Sequence, residues 1–336
     1  QYREYPAMRS YIIISPMINS GPTCSGSALV IYLLFINLNA YRNETMRNVS
    51  LILISLLMII SSCEKYPVKG SYDNPLLKYH GDAYVDLGLS ISETQGGYAI
   101  GGMMSVITRT DGSAGGSIIE SFRQEMTVIS TDRNGDHLWS YSSENNAYDE
   151  GRSVKTLGDG SLICAGVTAS REAGGLGEEI LVSRISSGGA AEWSKTYGGQ
   201  GNQEAYDIIE SYDGGYIVLG ATDVASVAEG FGEDNPQGRL NVFIMALSAA
   251  GDSLWSVSYG FDGDDKGVKI SRDLNNTGYV VLATTDNAAP GQGQNNIMFF
   301  RINSVGTSTS YKTFGSTDNE TAVDLILTGD TYLILG

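Results

Sequence analysis

A chain of 336 residues with 42% apolar content can bury a sizeable core, and 42 glycines beside seven prolines suit strands joined by tight turns rather than a disordered segment. The formal net charge is −17; residues 1–63 hold four Arg and two Glu, so the remainder carries 17 basic against 36 acidic side chains, a net −19. Such a surface repels phosphate backbones, which argues against nucleic acid as a partner.

The three cysteines, Cys24, Cys63 and Cys164, lie far apart without CxxC spacing, and the two histidines, His80 and His137, are 57 residues apart. Neither a disulfide framework nor a His-rich metal site is expected. Residues 1–45 carry no repeat or amphipathic pattern and read as an upstream extension rather than native structure. From Met46-Arg47 a secretory pattern begins: a basic start, the apolar run Val49–Ile60, and small residues ending in Ile60-Ser61-Ser62-Cys63. The run is too short to span a bilayer, as is a second one, Ala28–Leu38. The Ile-Ser-Ser-Cys ending resembles the lipobox of bacterial lipoproteins. That resemblance implies a signal peptide over 46–62 and diacylation of Cys63 as the first mature residue. Two acyl chains anchor stably where one is marginal, and residues 63–80, with Pro67 and Pro75, then form a polar tether.

Internal repetition dominates the rest. A Gly-rich turn running into an apolar strand occurs at Gln95-Gly96-Gly97-Tyr98, Gly158-Asp159-Gly160-Ser161, Asp213-Gly214-Gly215-Tyr216, Asn276-Thr277-Gly278-Tyr279 and Gly329-Asp330-Thr331-Tyr332. Taking Tyr98, Ser161, Tyr216, Tyr279 and Tyr332 as markers, the spacings are 63, 55, 63 and 53 residues. A second marker is a turn glycine followed by tryptophan: Gly135 and Trp139, Gly189 and Trp193, Gly251 and Trp255; Gly306 is followed instead by Ser310 and Tyr311. Each unit resolves into four short strands. The first opens on an acidic residue, the second follows the Gly turn, the third is strongly apolar (Met126–Ile129, Ile180–Ile185, Val242–Leu247, Ile297–Ile302), and the fourth carries the tryptophan with period-2 alternation. Four strands in some 50–60 residues, repeated, predict an all-β fold: a β-propeller of four-stranded antiparallel blades. The expected units are 81–143, 144–198, 199–260, 261–314 and a partial 315–336, read as four complete blades and part of a fifth from a larger ring.

The wording of the units, Asp213-Gly214-Gly215-Tyr216 and Trp193-Ser194-Lys195-Thr196-Tyr197-Gly198-Gly199 above all, resembles the DGGY/WSKTYGG repeats of secreted and lipid-anchored Bacteroidota proteins. The resemblance covers roughly 81–336 and implies a β-propeller; Ser310 and Cys164 depart from its pattern. The Gly-x-x-x-Trp setting also resembles the tryptophan-docking repeats of quinoprotein propellers, as a packing device without the quinone.

Asp86, Asp149, Glu204, Asp265 and Glu320 read as the acidic residue that opens each unit, and recurrence assigns them a shared structural task at a turn rather than catalysis. The tryptophans, by the same reasoning, pack between blades. Asp132-Arg133-Asn134-Gly135-Asp136 and Phe261-Asp262-Gly263-Asp264-Asp265 place oxygens as the start of a calcium loop does but lack its later ligands, so no cofactor is expected, with calcium the nearest candidate. Gly198-Gly199-Gln200-Gly201 lacks the Lys-Ser/Thr ending of a phosphate-binding loop. What varies is the connection between second and third strands: Thr108–Glu125, Thr168–Glu179, Asp223–Asn241 and Asp286–Asn296. Alternating strand direction puts these loops and the fourth-to-first connections on one face, which gathers Glu229, Phe231, Glu233, Asp234, Phe261, Asp262 and Asp264 as candidate interaction residues. The sequence thus suggests a lipid-anchored outer-membrane or cell-surface module binding an envelope protein or glycan through this face, touching membrane by its lipid anchor only. The alternatives are a carbohydrate-active enzyme using loop carboxylates and a scaffold for outer-membrane assembly.

Overall fold

The computed structural model describes residues 80–81, 85–111, 118–144, 148–169, 177–224, 240–261, 263–275, 277–286 and 295–336, with backbone only at 108–111 and 118–122. The leader, Cys63 and the tether up to residue 79 lie outside the described residues. Among those described there is no helix. The first sheet holds β1 (Leu87–Glu93), β2 (Gly97–Asp111), β3 (Ile118–Asp132) and β4 (His137–Ser142). The second holds β5 (Asp149–Thr156), β6 (Leu162–Thr168), β7 (Glu179–Ile185) and β8 (Ala191–Tyr197). The third holds β9 (Gln203–Glu210), β10 (Tyr216–Thr222), β11 (Asn241–Leu247) and β12 (Ser253–Tyr259), and the fourth holds β13 (Asp265–Arg272), β14 (Gly278–Thr285), β15 (Asn296–Asn303) and β16 (Ser308–Phe314). A hairpin of β17 (Asp324–Thr328) and β18 (Thr331–Leu335) follows. Within each sheet consecutive strands pair antiparallel in chain order. These are propeller blades, and they do not close into a ring.

The sheets stack because none can bury itself. Every residue of β6 and of β10 is buried, on both faces of the sheet, which is why these strands read as continuous apolar runs. Ile163 and Ala165 share a core with Val218 and Met245 of the third sheet, while Leu162 and Cys164 face Met126 and Val128 of the first. Burial pushes the Cys164 thiol up to about 12, so it packs as a small apolar group. The first strand of each four-stranded sheet after the first packs against three strands of the sheet before it: β5 on β1, β2 and β3; β9 on β5, β6 and β7; β13 on β9, β10 and β11. First strands are therefore innermost and fourth strands outermost.

Each first strand carries a bulge. Leu89, Arg152, Tyr206 and Val268 are the unpaired residues, flanked by Gly88/Ser90, Gly151/Ser153, Ala205/Asp207 and Gly267/Lys269. In the first three sheets the facing residue is glycine because a Cβ on Gly102, Gly166 or Gly220 would stand 1.8 Å from the carbonyl oxygen of Leu87, Glu150 or Glu204. Just past the bulge a polar residue recurs and reaches the next inner strand. Val154 N donates to Ser90 Oγ (3.1 Å), Ser153 Oγ donates to Asp207 Oδ1 (2.7 Å), and Ile270 N donates to Asp207 Oδ2 (3.2 Å). Asp207, 1% exposed, also pairs with Lys155 at 3.2 Å and Lys269 at 3.7 Å, so one buried carboxylate ties three inner strands.

At the outer edge the tryptophan of one sheet covers the turn glycine of the next. Trp139 lies on Gly189, Trp193 on Gly251 and Trp255 on Gly306; each glycine has φ between 78° and 90°, and a Cβ there would stand within 3.0 Å of the indole. Tyr197 Oη donates to Gly251 O (2.5 Å) and Tyr259 Oη donates to Gly306 O. In the first sheet His80 Nε2 donates instead to the equivalent carbonyl, Gly135 O (3.0 Å).

Two sequence readings are corrected. Leu162, not Ser161, is the register mate of Tyr98 and Tyr216: Leu162 faces Thr156 as Tyr216 faces Glu210, and the spacings become 64, 54, 63 and 53. The cause is a turn in which Gly160-Ser161 replaces Gly214-Gly215, with Leu157 N donating to Ser161 O as Ser211 N donates to Gly215 O. The connection Thr108–Glu125 is largely strand, since β2 and β3 stay paired out to Asp111 and Ile118; its Thr, Ile and Phe residues suit extended backbone.

The docking device predicts that Trp193→Ala costs about 2–3 kcal/mol, the low end for a partly buried aromatic. Urea unfolding followed by far-ultraviolet circular dichroism measures it; a loss within experimental error removes the indole as an interblade tie.

Candidate functional site

The face that bears the second-to-third and fourth-to-first connections is built from two repeated polar devices and one unrepeated cluster. The first device caps the connection between sheets. Asp265 Oδ2 accepts from Phe261 N (2.7 Å), Glu320 Oε1 accepts from Ser316 N (3.0 Å), and Asp149 Oδ2 accepts from Ser143 Oγ (2.6 Å). In the third sheet this place belongs to Gln203, whose Nε2 donates to Gln200 O (2.9 Å). Glu204, expected in the acidic series, therefore lies one residue further on and is free of the capping task. Register fixes the assignment: Gln203 faces Thr222 as Asp149 faces Thr168.

The second device staples neighbouring sheets. Asn202 donates to Asp223 through N and Nδ2 (both 2.6 Å) while its Oδ1 accepts from Glu178 N (2.9 Å). Asp264 repeats the pattern, with Oδ1 accepting from Leu240 N (3.0 Å) and N donating to Asp286 Oδ1, and Asn319 Oδ1 accepts from Asn295 N (3.1 Å). Asp264, a candidate interaction residue, is thus engaged in joining sheets. Phe261, another, packs against the core of the third and fourth sheets and edge-on to Tyr311, ring centroids 5.9 Å apart. Glu229, Phe231, Glu233, Asp234 and Asp262 lie outside the described residues. The calcium-like run at Asp132 is a hairpin turn whose Asp132 Oδ1 accepts from Asn134 N and Asp136 N (both 2.8 Å). Among the described residues no group of three or more His, Cys, Asp and Glu is placed to hold a metal.

The unrepeated cluster sits where the second and third sheets meet. The bulges aim Arg152 and Tyr206 out of their strands, and the guanidinium lies 4.9 Å over the Tyr206 ring. Arg152 Nε pairs with Glu150 Oε1 (2.7 Å) and Nη1 with Glu204 Oε2 (2.5 Å). Tyr148 Oη donates to Glu150 Oε2 (2.5 Å) and Tyr206 Oη to Glu204 Oε2 (3.0 Å). All five are partly exposed, as is Glu178. Burial, then the adjacent Glu204 carboxylate with which it shares a hydrogen bond, raises the Glu178 carboxyl. Burial alone would raise Glu204 too, but the hydrogen bond and charge of Arg152 hold it below the usual range. Burial and the neighbouring carboxylates push both tyrosines up to about 12. The result is a preset array of hydrogen-bonding groups around one guanidinium. Sequence reasoning missed it because Arg152 and Tyr206 fall at one offset only when the units are aligned on the bulge glycines.

No protein-family model matches this chain, and no curated protein matches it.

Capping carries a pH signature. Burial pushes the Asp265 carboxyl up to about 6, against hydrogen bonds from Thr285 and Phe261 N that lower it, and Asp286 and Asp264 add to the rise. A native pKa above the unfolded one means the folded chain holds the proton longer, so the contribution is present below about pH 4 and is lost as pH rises through about 6. Asp265→Asn, a neutral amide like Gln203, should be near-neutral at pH 4 and stabilising at pH 7.5 by up to ~3 kcal/mol. Urea midpoints across that range test it; a pH-independent difference refutes the assignment.

Proposed function

We propose that this chain is a lipid-anchored cell-envelope module, built of propeller blades, that binds or scaffolds an envelope protein or glycan through its loop-bearing face. The supporting observation is the cluster of Tyr148, Glu150, Arg152, Glu178, Glu204 and Tyr206. In the fourth sheet the same repeat positions hold the staple Asp264, the exposed Lys266 and the apolar Val268 instead. Rigid strand ends hold its groups, and aromatic and guanidinium surface of this kind is enriched where proteins bind partners. Anchoring rests on the lipobox-like ending at Cys63.

The enzymatic reading draws on Glu178 and Glu204, whose ionisation is pushed apart as in acid–base pairs. Yet the Glu204 carboxylate is already engaged by Arg152 Nη1 and Tyr206 Oη, so it is not free to act as the nucleophile or base of glycoside cleavage. Binding is the better account.

Two measurements bear on this. Cys63→Ala in full-length protein should abolish metabolic acyl labelling, and retained label removes the anchor. Cross-linking of surface-displayed protein to envelope components should fall about tenfold for the Arg152→Ala, Tyr206→Ala pair and hold for Asp136→Asn on the opposite face; equal capture by both variants refutes the loop-face assignment.

A further inference from the structure

Along the outer strand of the third sheet runs a groove of about 700 Å³, bounded by Thr196 and Tyr197 of the second sheet and by Val305 and Gly306 in the β15–β16 turn of the fourth, within the ~300–1,000 Å³ of ordinary small-ligand sites. Thr196 and Gln200 form one side, Gln203 its inner end, and Phe243, Met245 and Ser256 the other side. The Arg152 cluster does not line it. Although 18% of the chain is charged, no Asp, Glu, Lys or Arg is among the described residues that line this groove. The wall is hydroxyls and amides set between apolar and aromatic surfaces.

One of its polar atoms lacks a partner. Gln203 is 5% exposed. Its Nε2 donates to Gln200 O (2.9 Å) and Thr222 Oγ1 (3.4 Å), while its buried Oε1 receives no hydrogen bond. The caps Asp265 and Glu320 likewise each keep one buried oxygen unmet, so this belongs to the repeated cap, while the Gln203 side chain itself closes the inner end of the groove.

We propose that this groove is a binding site for a neutral saccharide. A sugar ring offers apolar C–H faces to Phe243 and Met245, and hydroxyls that both donate and accept. Its hydroxyls exchange hydrogen bonds with Thr196, Gln200 and Ser256. Anionic and cationic ligands find no counter-charge, so desolvating them there is unfavourable. The site is separate from the loop-face cluster, and the two assignments stand or fall independently.

Isothermal titration calorimetry of the full chain tests this with maltohexaose, cellohexaose, laminarihexaose, mannohexaose and xylohexaose, beside hexagalacturonate and a neutral Gly/Ser/Asn hexapeptide. At least one neutral oligosaccharide is expected to bind with a millimolar or lower Kd that is unchanged between about 50 and 500 mM NaCl. Ser256→Trp fills the groove from an exposed position and should weaken binding about tenfold or more; the pair Arg152→Ala, Tyr206→Ala should leave it intact. Circular dichroism checks that each variant folds. The proposal is overturned by the absence of neutral-sugar binding, by preference for the charged sugar or the peptide, by binding that survives Ser256→Trp, or by binding lost with the loop-face pair.

Discussion

A four-stranded sheet whose second strand is buried on both faces cannot be stable alone, and that constraint organises this protein. β6 and β10 bury every residue, so each of these sheets needs a neighbour on either side. The chain meets the need with three ties from axis to rim. Innermost, a polar residue past each bulge reaches the next first strand, with Asp207 holding three of them. At mid-sheet, apolar side chains from adjacent sheets share one core. At the rim, indole and phenol groups close over the turn of the following sheet. The order of these ties reflects geometry: inner strands lie close enough for direct hydrogen bonds, whereas diverging outer strands require the reach of Trp and Tyr.

Divergence also leaves space. Along the outer strand of the third sheet, the groove is lined by uncharged side chains among the described residues. Much of the conspicuous acidity on the loop-bearing face is consumed in holding the blades together. Asp265 and Glu320 cap connections, and Asp264 with Asn202 and Asn319 staple sheets. Once these are subtracted, the described part of that face retains the Arg152 cluster, which no repeated task accounts for. A bulge thereby serves two ends, bringing first and second strands into register and turning Arg152 and Tyr206 outward.

The architecture was legible because a repeated fold writes its packing rule several times. Trp139, Trp193 and Trp255 follow a turn glycine at constant offset, and three copies of one geometry leave three copies of one spacing. The errors were errors of a single residue. Ser161 and Tyr216 both follow a turn glycine, and Glu204 shares the acidity but not the register of Asp149 and Asp265. Gln203 caps as the acids do, and the second turn holds Gly160-Ser161 where the third holds Gly214-Gly215, so residue type and register part by one position. The long β2–β3 ribbon is masked in a related way: the repeat implies a loop there, whereas the local Thr, Ile and Phe favour extended backbone.

By itself, then, the sequence determined strand number, strand order, the turn glycines and the aromatic ties, all of which depend on local pattern and on repetition. Tertiary structure alone decided which polar groups are spent on joining sheets and which remain. Glu150, Glu178 and Glu204 are separated along the chain by tens of residues, and meet around Arg152 only because two bulged strands run side by side. Contacts of this kind follow from the angle and spacing between blades, which no single stretch of the chain encodes.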